Sequence, residues 1–160
     1  MYGEIMADKI KSIIIGADHL GLPLKNALKA HLIERGYPVE DIGVYTDDAV
    51  NYPEIAIKLS EKVASGEHER GILVCGTGIG MAITANKIPG VRAAVIHDAY
   101  SAERARASND AQVACFGSLV IGVNTALKNL DIWLESEFAG GRSQPKVDMI
   151  KALDEKKMLK

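Results

Sequence analysis

With 160 residues, about half of them apolar, the chain is long enough for one domain that buries roughly two-thirds of its unfolded surface without disulfide staples. A formal net charge of -2, with basic and acidic residues mixed along the chain, provides no basic field for nucleic acid or an anionic membrane. No apolar run approaches the ~20 residues of a membrane span and no signal-peptide core precedes a small-residue cleavage site, so the cytoplasm is the expected location.

Residues 1–11 read as a short polar lead-in. Ser12-Ile13-Ile14-Ile15-Gly16-Ala17 is continuously apolar and β-branched, as a strand buried on both faces should be, and Asp18-His19 stand at its C-terminal end. Leu24, Leu28 and Leu32 recur every four residues on a helix that Gly36 terminates, and a weaker strand follows over 38–42. Residues 46–52 form a polar loop, after which Pro53 fits the first turn of a helix carrying Ile55, Leu59 and Val63, ended by Gly66. Gly71-Ile72-Leu73-Val74 is a third strand, Cys75-Gly76-Thr77-Gly78-Ile79-Gly80 a turn, and 81–87 a helix. Arg92-Ala93-Ala94-Val95-Ile96 is a fourth strand ending at His97-Asp98. A helix over 101–107 and a turn at Ser108-Asn109-Asp110 lead to a fifth strand, Gln112-Val113-Ala114-Cys115-Phe116, which stops at Gly117. Leu127, Leu130 and Leu134, with Trp133, mark an amphipathic helix. Gly140-Gly141-Arg142 breaks the chain before a last helix with Val147, Ile150 and Leu153 and a charged tail.

Five strands alternating with helices predict right-handed crossovers and a parallel sheet covered on both faces: a three-layer α/β/α Rossmann-like fold, one domain over 1–160. Ligands of such sheets bind beyond the carboxyl ends of the strands. Asp18-His19, Cys75 to Gly80, His97-Asp98 and Ser108-Asn109 are therefore expected on or near one edge. Cys75 and Cys115 are expected on strands that are not neighbours, both as free thiols.

The turn after the third strand carries the chemistry. Its three alternate glycines let the backbone bend tightly and approach a ligand, and the helix that follows leaves its first amides unpaired, which makes an anion cradle. A cysteine at the strand end beside that helix start has its negative form favoured. A dinucleotide fingerprint fails at Met81, where the third glycine of G-x-G-x-x-G belongs, and no Gly-Lys-Ser/Thr follows for a P-loop. Cys75 has a second reading as a small buried hydrophobe and a third as a thiol-protease nucleophile, for which no Cys-His-Asn order speaks; Cys115 reads as core. His19, His31, His68 and His97 lack metal-ligand spacing, so no metal site is expected, and His31 and His68 are placed on the surface. His19 stands beside Asp18 where a polar pair lines a cleft, whereas His97 reads equally as a core-edge residue bonded to backbone. Arg142 and Lys146, one helical turn apart, fit either an anion grip or a solvated face.

The run from Gly71 to Gly80, followed by Ala85-Asn86-Lys87-Ile88-Pro89-Gly90-Val91-Arg92-Ala93, closely resembles the type B ribose-5-phosphate isomerases and the related galactose-6-phosphate isomerase subunits. The likeness spans nearly the whole chain, with Asp18-His19, Tyr52-Pro53, Asn109-Asp110, Phe116-Gly117 and Gly140-Gly141-Arg142 in the family's order. It implies aldose–ketose isomerisation through a cis-enediolate, with no metal or other cofactor, and Cys75 as the base. The amides of residues 76–80, including Gly76, Gly78, Ile79 and Gly80, and the Thr77 hydroxyl would stabilise the oxyanion. Asp18 and Asn109 would hold substrate hydroxyls, and Tyr52 would line the pocket. The resemblance further implies a homodimer or homotetramer, with the arm over 140–160 packed on a partner and Arg142 binding the phosphate in the neighbour's site.

Three positions depart from the ribose-specific pattern: Ser108 replaces a ring-opening histidine, Leu119 an arginine, and Lys146 a second arginine. The run Ser108-Asn109-Asp110-Ala111-Gln112-Val113 resembles a branch that includes tetrulose-phosphate isomerases. A four-carbon ketose with its terminal hydroxyl esterified cannot close a five-membered ring and needs no ring-opening residue. Ribose 5-phosphate is thus the family-type substrate, with His19 the candidate to open its ring. A tetrulose phosphate of the erythrulose 4-phosphate type is the alternative, and a sugar-phosphate-binding protein without catalysis is a third reading.

Overall fold

The uninterrupted apolar runs form the middle of the sheet. In the computed structural model, which describes residues 10 and 12–158, β1 (Ile13–Ala17), β3 (Arg70–Cys75) and β5 (Val113–Gly117) lie side by side, almost wholly buried. The three-residue strands β2 (Val39–Asp41) and β4 (Ala93–Val95) are half-buried and close the two edges. The order is β2-β1-β3-β5-β4 and every pairing is parallel. The predicted lead-in falls almost wholly outside the described residues, as does the end of the charged tail.

Alternation along each central strand divides the core in two. Ile13, Ile15, Ala17, Ile72, Val74, Ala114 and Phe116 face α1 (Leu22–Glu34), α4 (Ala99–Ala107) and α5 (Val123–Glu135), through Leu24, Leu28, Leu32, Ala102, Leu130 and Trp133. Ile14, Leu73, Cys75, Val113 and Cys115 face α2 (Tyr52–Ala64) and α3 (Ile79–Ala85), through Leu59, Val63 and Met81. The predicted three layers are present. A short 3-10 turn, Gly141–Ser143, leads into α6 (Gln144–Met158), which buries Val147 and leaves Ile150 and Leu153 exposed. Helix α4 starts two residues before the predicted position because Asp98 caps it: Oδ1 accepts from the Ser101 N–H at 2.7 Å and Oδ2 from the Ser101 hydroxyl at 2.6 Å.

Two expectations are corrected. The strands of Cys75 and Cys115 are neighbours, because β5 inserts between β3 and β4. The thiols are free: Cys115 lies opposite Leu73 and Cys75 opposite Gly117, so the two cysteines are offset by two positions in register and are not a facing pair. His68, expected on the surface, is buried and bonded through Nε2 to Glu40. The cause is the loop after α2, which tucks the ring against β2. His31 is partly buried and paired with Asp131.

Lys25 of α1 is a charged residue, yet it is fully buried. Its Nζ donates to both oxygens of Asp41 at 2.9 Å and to the Val44 carbonyl at 2.7 Å, tying α1 to the end of β2. Lys29 and the Gly43 N–H complete the carboxylate's partners at 3.0 and 2.9 Å. Burial pushes the Asp41 pKa up, but these donors outweigh it and hold it below its ordinary value. A depressed carboxylate contributes stability that is complete above its unfolded pKa and is lost as pH falls through the folded one. Asp41→Asn should therefore cost about 3–5 kcal/mol at pH 7, since it strands a buried ammonium. Urea denaturation at pH 7 and pH 3 checks this: the deficit should shrink at pH 3, and an equal deficit at both would contradict the assignment.

Candidate active site

Strand β3 ends at Cys75, whose thiol points to the α2/α3 face and is 5% exposed. The chain then turns sharply. Gly78 has φ of +76°, and a Cβ there would lie 2.9 Å from the Phe116 carbonyl carbon, so glycine alone lets the turn press against β5. The turn aims the Gly78 N–H back at Cys75 Sγ, 3.1 Å away, and the Ile79 N–H at Thr77 Oγ1, 3.3 Å away. Helix α3 has only seven residues, so its own macrodipole is small and the amide pointed at the sulfur is the direct source of positive charge there.

The other walls come from strand and helix starts. Asp18 follows β1 directly; its Oδ1 accepts from the Gly21 N–H at 2.9 Å, and its own N–H donates to the Val74 carbonyl at 3.1 Å, which sets the buried carboxyl beside the end of β3. Tyr52 opens α2. Asp18, Tyr52, Cys75 and Thr77 surround an open cleft of about 460 Å³, with Gly76, Ile79 and Gly80 lining it between them. Leu20, Ile83 and Leu119 give it an apolar rim, and Leu119 is 73% exposed. Leu20 and Ile83 were missed by sequence reasoning; their one signal is an apolar side chain next to a polar motif. Such a site can offer a sulfur base, aimed amides and a carboxylate to a small polar molecule.

His19 is not among this cleft's lining residues. It borders an adjacent hollow with Val50, Asn51 and Glu54, and its Nδ1 accepts from the Val50 N–H at 3.3 Å. His97 takes the backbone-bonded role: its Nε2 accepts from the Gly117 N–H at 2.8 Å. Burial lowers its pKa, and Asp98 opposes that shift.

Ser108 and Asn109 are not at the Cys75 edge, contrary to expectation. They precede β5, and in a parallel sheet a turn that leads into a strand lies at the opposite edge from one that leaves it. The Arg92 guanidinium pins this turn through the Asn109 and Asp110 carbonyls, at 3.2 and 3.0 Å, and the Asp110 carboxylate at 2.9 Å. Arg142 and Lys146 are exposed near the same far edge, where the Ala139 N–H donates to the Ala107 carbonyl at 3.1 Å. One chain thus brings together Asp18, Tyr52, Cys75 and Thr77 with the glycine turn, and holds Asn109, Arg142 and Lys146 apart from them.

Among the described residues, the one group of three side chains able to share a metal ion is Glu40, Glu67 and His68. The Lys62 ammonium already bridges the two carboxylates, at 2.7 and 3.0 Å, and the group precedes β3 and so lies away from Cys75. None of the described helices is long and apolar enough to cross a membrane.

A model of the Ribose/Galactose Isomerase family matches residues 13–150. The ribose-5-P isomerase B of Listeria innocua is 54% identical over 144 residues, covering 90% of this chain and 97% of that one. A D-erythrulose-4-phosphate isomerase of Pectobacterium atrosepticum is 49% identical over 141 residues, covering 87% and 92%. Among solved structures, Clostridium thermocellum ribose-5-phosphate isomerase B superposes with a TM-score of 0.89 at 44% identity, over 91% of this chain and 98% of that one. With a family model matched over residues 13–150 and relatives of this identity and coverage, the chain belongs to the ribose/galactose isomerase family.

Proposed function

We propose that this chain is an aldose–ketose isomerase of a phosphorylated sugar, of the ribose 5-phosphate/ribulose 5-phosphate type, with Cys75 as the base. The observation that carries the reading is the Gly78 N–H directed at Cys75 Sγ inside a cleft shared with Asp18 and Thr77. A carbon acid beside a carbonyl is weak, so its deprotonation needs a positioned base and donors where oxyanion charge develops. In the proposed reaction the Cys75 thiolate takes the C2 proton of the open-chain aldose. The C2–H electron pair moves into a C1–C2 double bond, and the carbonyl pair moves onto O1. The thiol, whose proton exchanges with solvent, then delivers a proton to C1 as the C1–C2 pair closes on it, and the proton of the C2 hydroxyl passes to O1, giving the ketose. Amides of residues 76–80 and the Thr77 hydroxyl stabilise the cis-enediolate, while Asp18 binds a sugar hydroxyl and Tyr52 bounds the cleft. No metal or other cofactor is required, and two free thiols suit the cytoplasm.

The active form in this reading is a homodimer or larger, with each site completed by a second copy. The cleft has no cationic side chain of its own among its lining residues, and a charged partner would strengthen phosphate binding beyond what the turn's amides supply. Arg142 and Lys146 stand exposed at the far edge beside Asn109, and the exposed Ile150 and Leu153 of α6 give the arm an apolar face for a partner. Asn109 would reach the substrate the same way. The tetrulose reading is favoured by Ser108, whose Oγ accepts from Arg104 at 3.3 Å and is no imidazole acid, by Leu119 at the rim, and by the similarity to an enzyme named for erythrulose 4-phosphate.

Steady-state assays on ribose 5-phosphate and erythrulose 4-phosphate should show turnover of at least one, with kcat falling by roughly a thousandfold or more in Cys75→Ala while calorimetric binding persists. A higher kcat/KM on ribose 5-phosphate removes Ser108 as a specificity marker and makes His19 the first residue to test for ring opening, and a higher value on the tetrulose supports the Ser108 and Leu119 reading. Binding without turnover in the wild type would support the non-catalytic reading. Mixing inactive Cys75→Ala with weakened Arg142→Ala should regain activity, because the mixed dimer has one site with both residues intact; no gain after subunit exchange would place Arg142 and Cys75 in the same chain's site.

A further inference from the structure

The catalytic turn rests on β5. Cys75 is in register with Gly117; the Ser118 N–H donates to the Cys75 carbonyl at 2.9 Å and the Leu119 N–H to the Gly76 carbonyl at 3.0 Å. Gly117 lies so close to the turn that a Cβ on it would come within 2.6 Å of Thr77 Cα and carbonyl carbon. Backbone touches backbone here, so a shift of Gly117 displaces Thr77 and Gly78 with it.

On its other side Gly117 faces β4, where the ladder is interrupted. The Val113 N–H donates to the Arg92 carbonyl and the Ile96 N–H to the Cys115 carbonyl, each at 3.2 Å. The two-residue period of a parallel ladder makes the Ile96 carbonyl the next acceptor for the Gly117 N–H. That carbonyl instead accepts from Asn129 Nδ2 at 3.1 Å, and the Gly117 N–H donates to His97 Nε2 at 2.8 Å. A side chain thus takes the place of the strand at the point where the sheet supports the turn.

We propose that His97 is a positioning residue for the isomerisation, its Nε2 holding Gly117 and through it the placement of the Cys75 to Gly80 turn. The proposal rests on the isomerase reading of that turn. The bond requires an unprotonated Nε2, and burial of the ring, outweighing Asp98, favours that form. Losing the acceptor leaves a buried N–H unpaired at the base of the turn, and small misplacements of a reacting group are costly in rate.

The test compares His97→Leu, which removes the acceptor, with His97→Gln, whose Oε1 restores one at similar reach. The leucine variant should lower kcat by about tenfold with KM within about twofold, and glutamine should return most of the loss. Hydrogen–deuterium exchange supplies a readout independent of turnover. Amides of 75–80 and 117–119 should exchange about tenfold faster in the leucine variant and near the wild-type rate in the glutamine variant, with those of β1 unchanged in both. Wild-type exchange over 75–80 in a folded leucine variant would overturn the proposal, as would a glutamine variant no better than leucine. A wild type without isomerase activity would sink the functional reading and leave the exchange result to judge whether His97 holds the turn.

Discussion

The hydrogen bond from the Gly78 amide to Cys75 Sγ is the interaction around which this chain is arranged. It needs a strand that ends at the sulfur, a left-handed residue three positions on, and a neighbouring backbone close enough to hold the turn. β3 provides the first, Gly78 the second, and Phe116 with Gly117 the third. Charge on the sulfur is then met by an amide already in place, which avoids the reorganisation that water would require.

The rest of the fold fixes that arrangement in space. The two apolar layers clamp β1, β3 and β5, so the loops after β1 and β3 emerge side by side and Asp18 meets Cys75. The buried Lys25–Asp41 pair anchors the edge strand beside them. It is costly to desolvate, and the donors from Lys25, Lys29 and the Gly43 amide offset that cost at the carboxylate. The Cys75 edge holds Asp18 and the glycine turn, while the opposite edge presents Asn109 and the arm with Arg142.

The fold was legible because periodicity reports burial: β-branched runs gave the central strands and leucines at four-residue spacing gave α1. The Cys75 to Gly80 turn was legible because glycine at alternate positions after an apolar run has few other uses. What sequence reasoning misplaced depends on partners distant along the chain. His68 looks like a surface residue until Glu40 is brought to it, and no local pattern signals that Lys25 will be buried against Asp41. Asn109 was assigned to the wrong edge because composition marks a turn without saying which end of a strand it serves. Neighbouring β3 and β5 were likewise invisible, since strand order is set by which crossovers pack, and no local pattern encodes that.

The central claim is proton transfer by a cysteine base through an enediolate. The most direct measurement is deuterium content at C1 of the ketose formed from unlabelled aldose phosphate in heavy water, read before equilibrium is reached. Proton transfer through the Cys75 thiol, which exchanges with solvent, predicts deuterium at C1 of the first product. Product free of deuterium throughout would mean that the hydrogen never rested on a group open to solvent exchange, and would contradict the account.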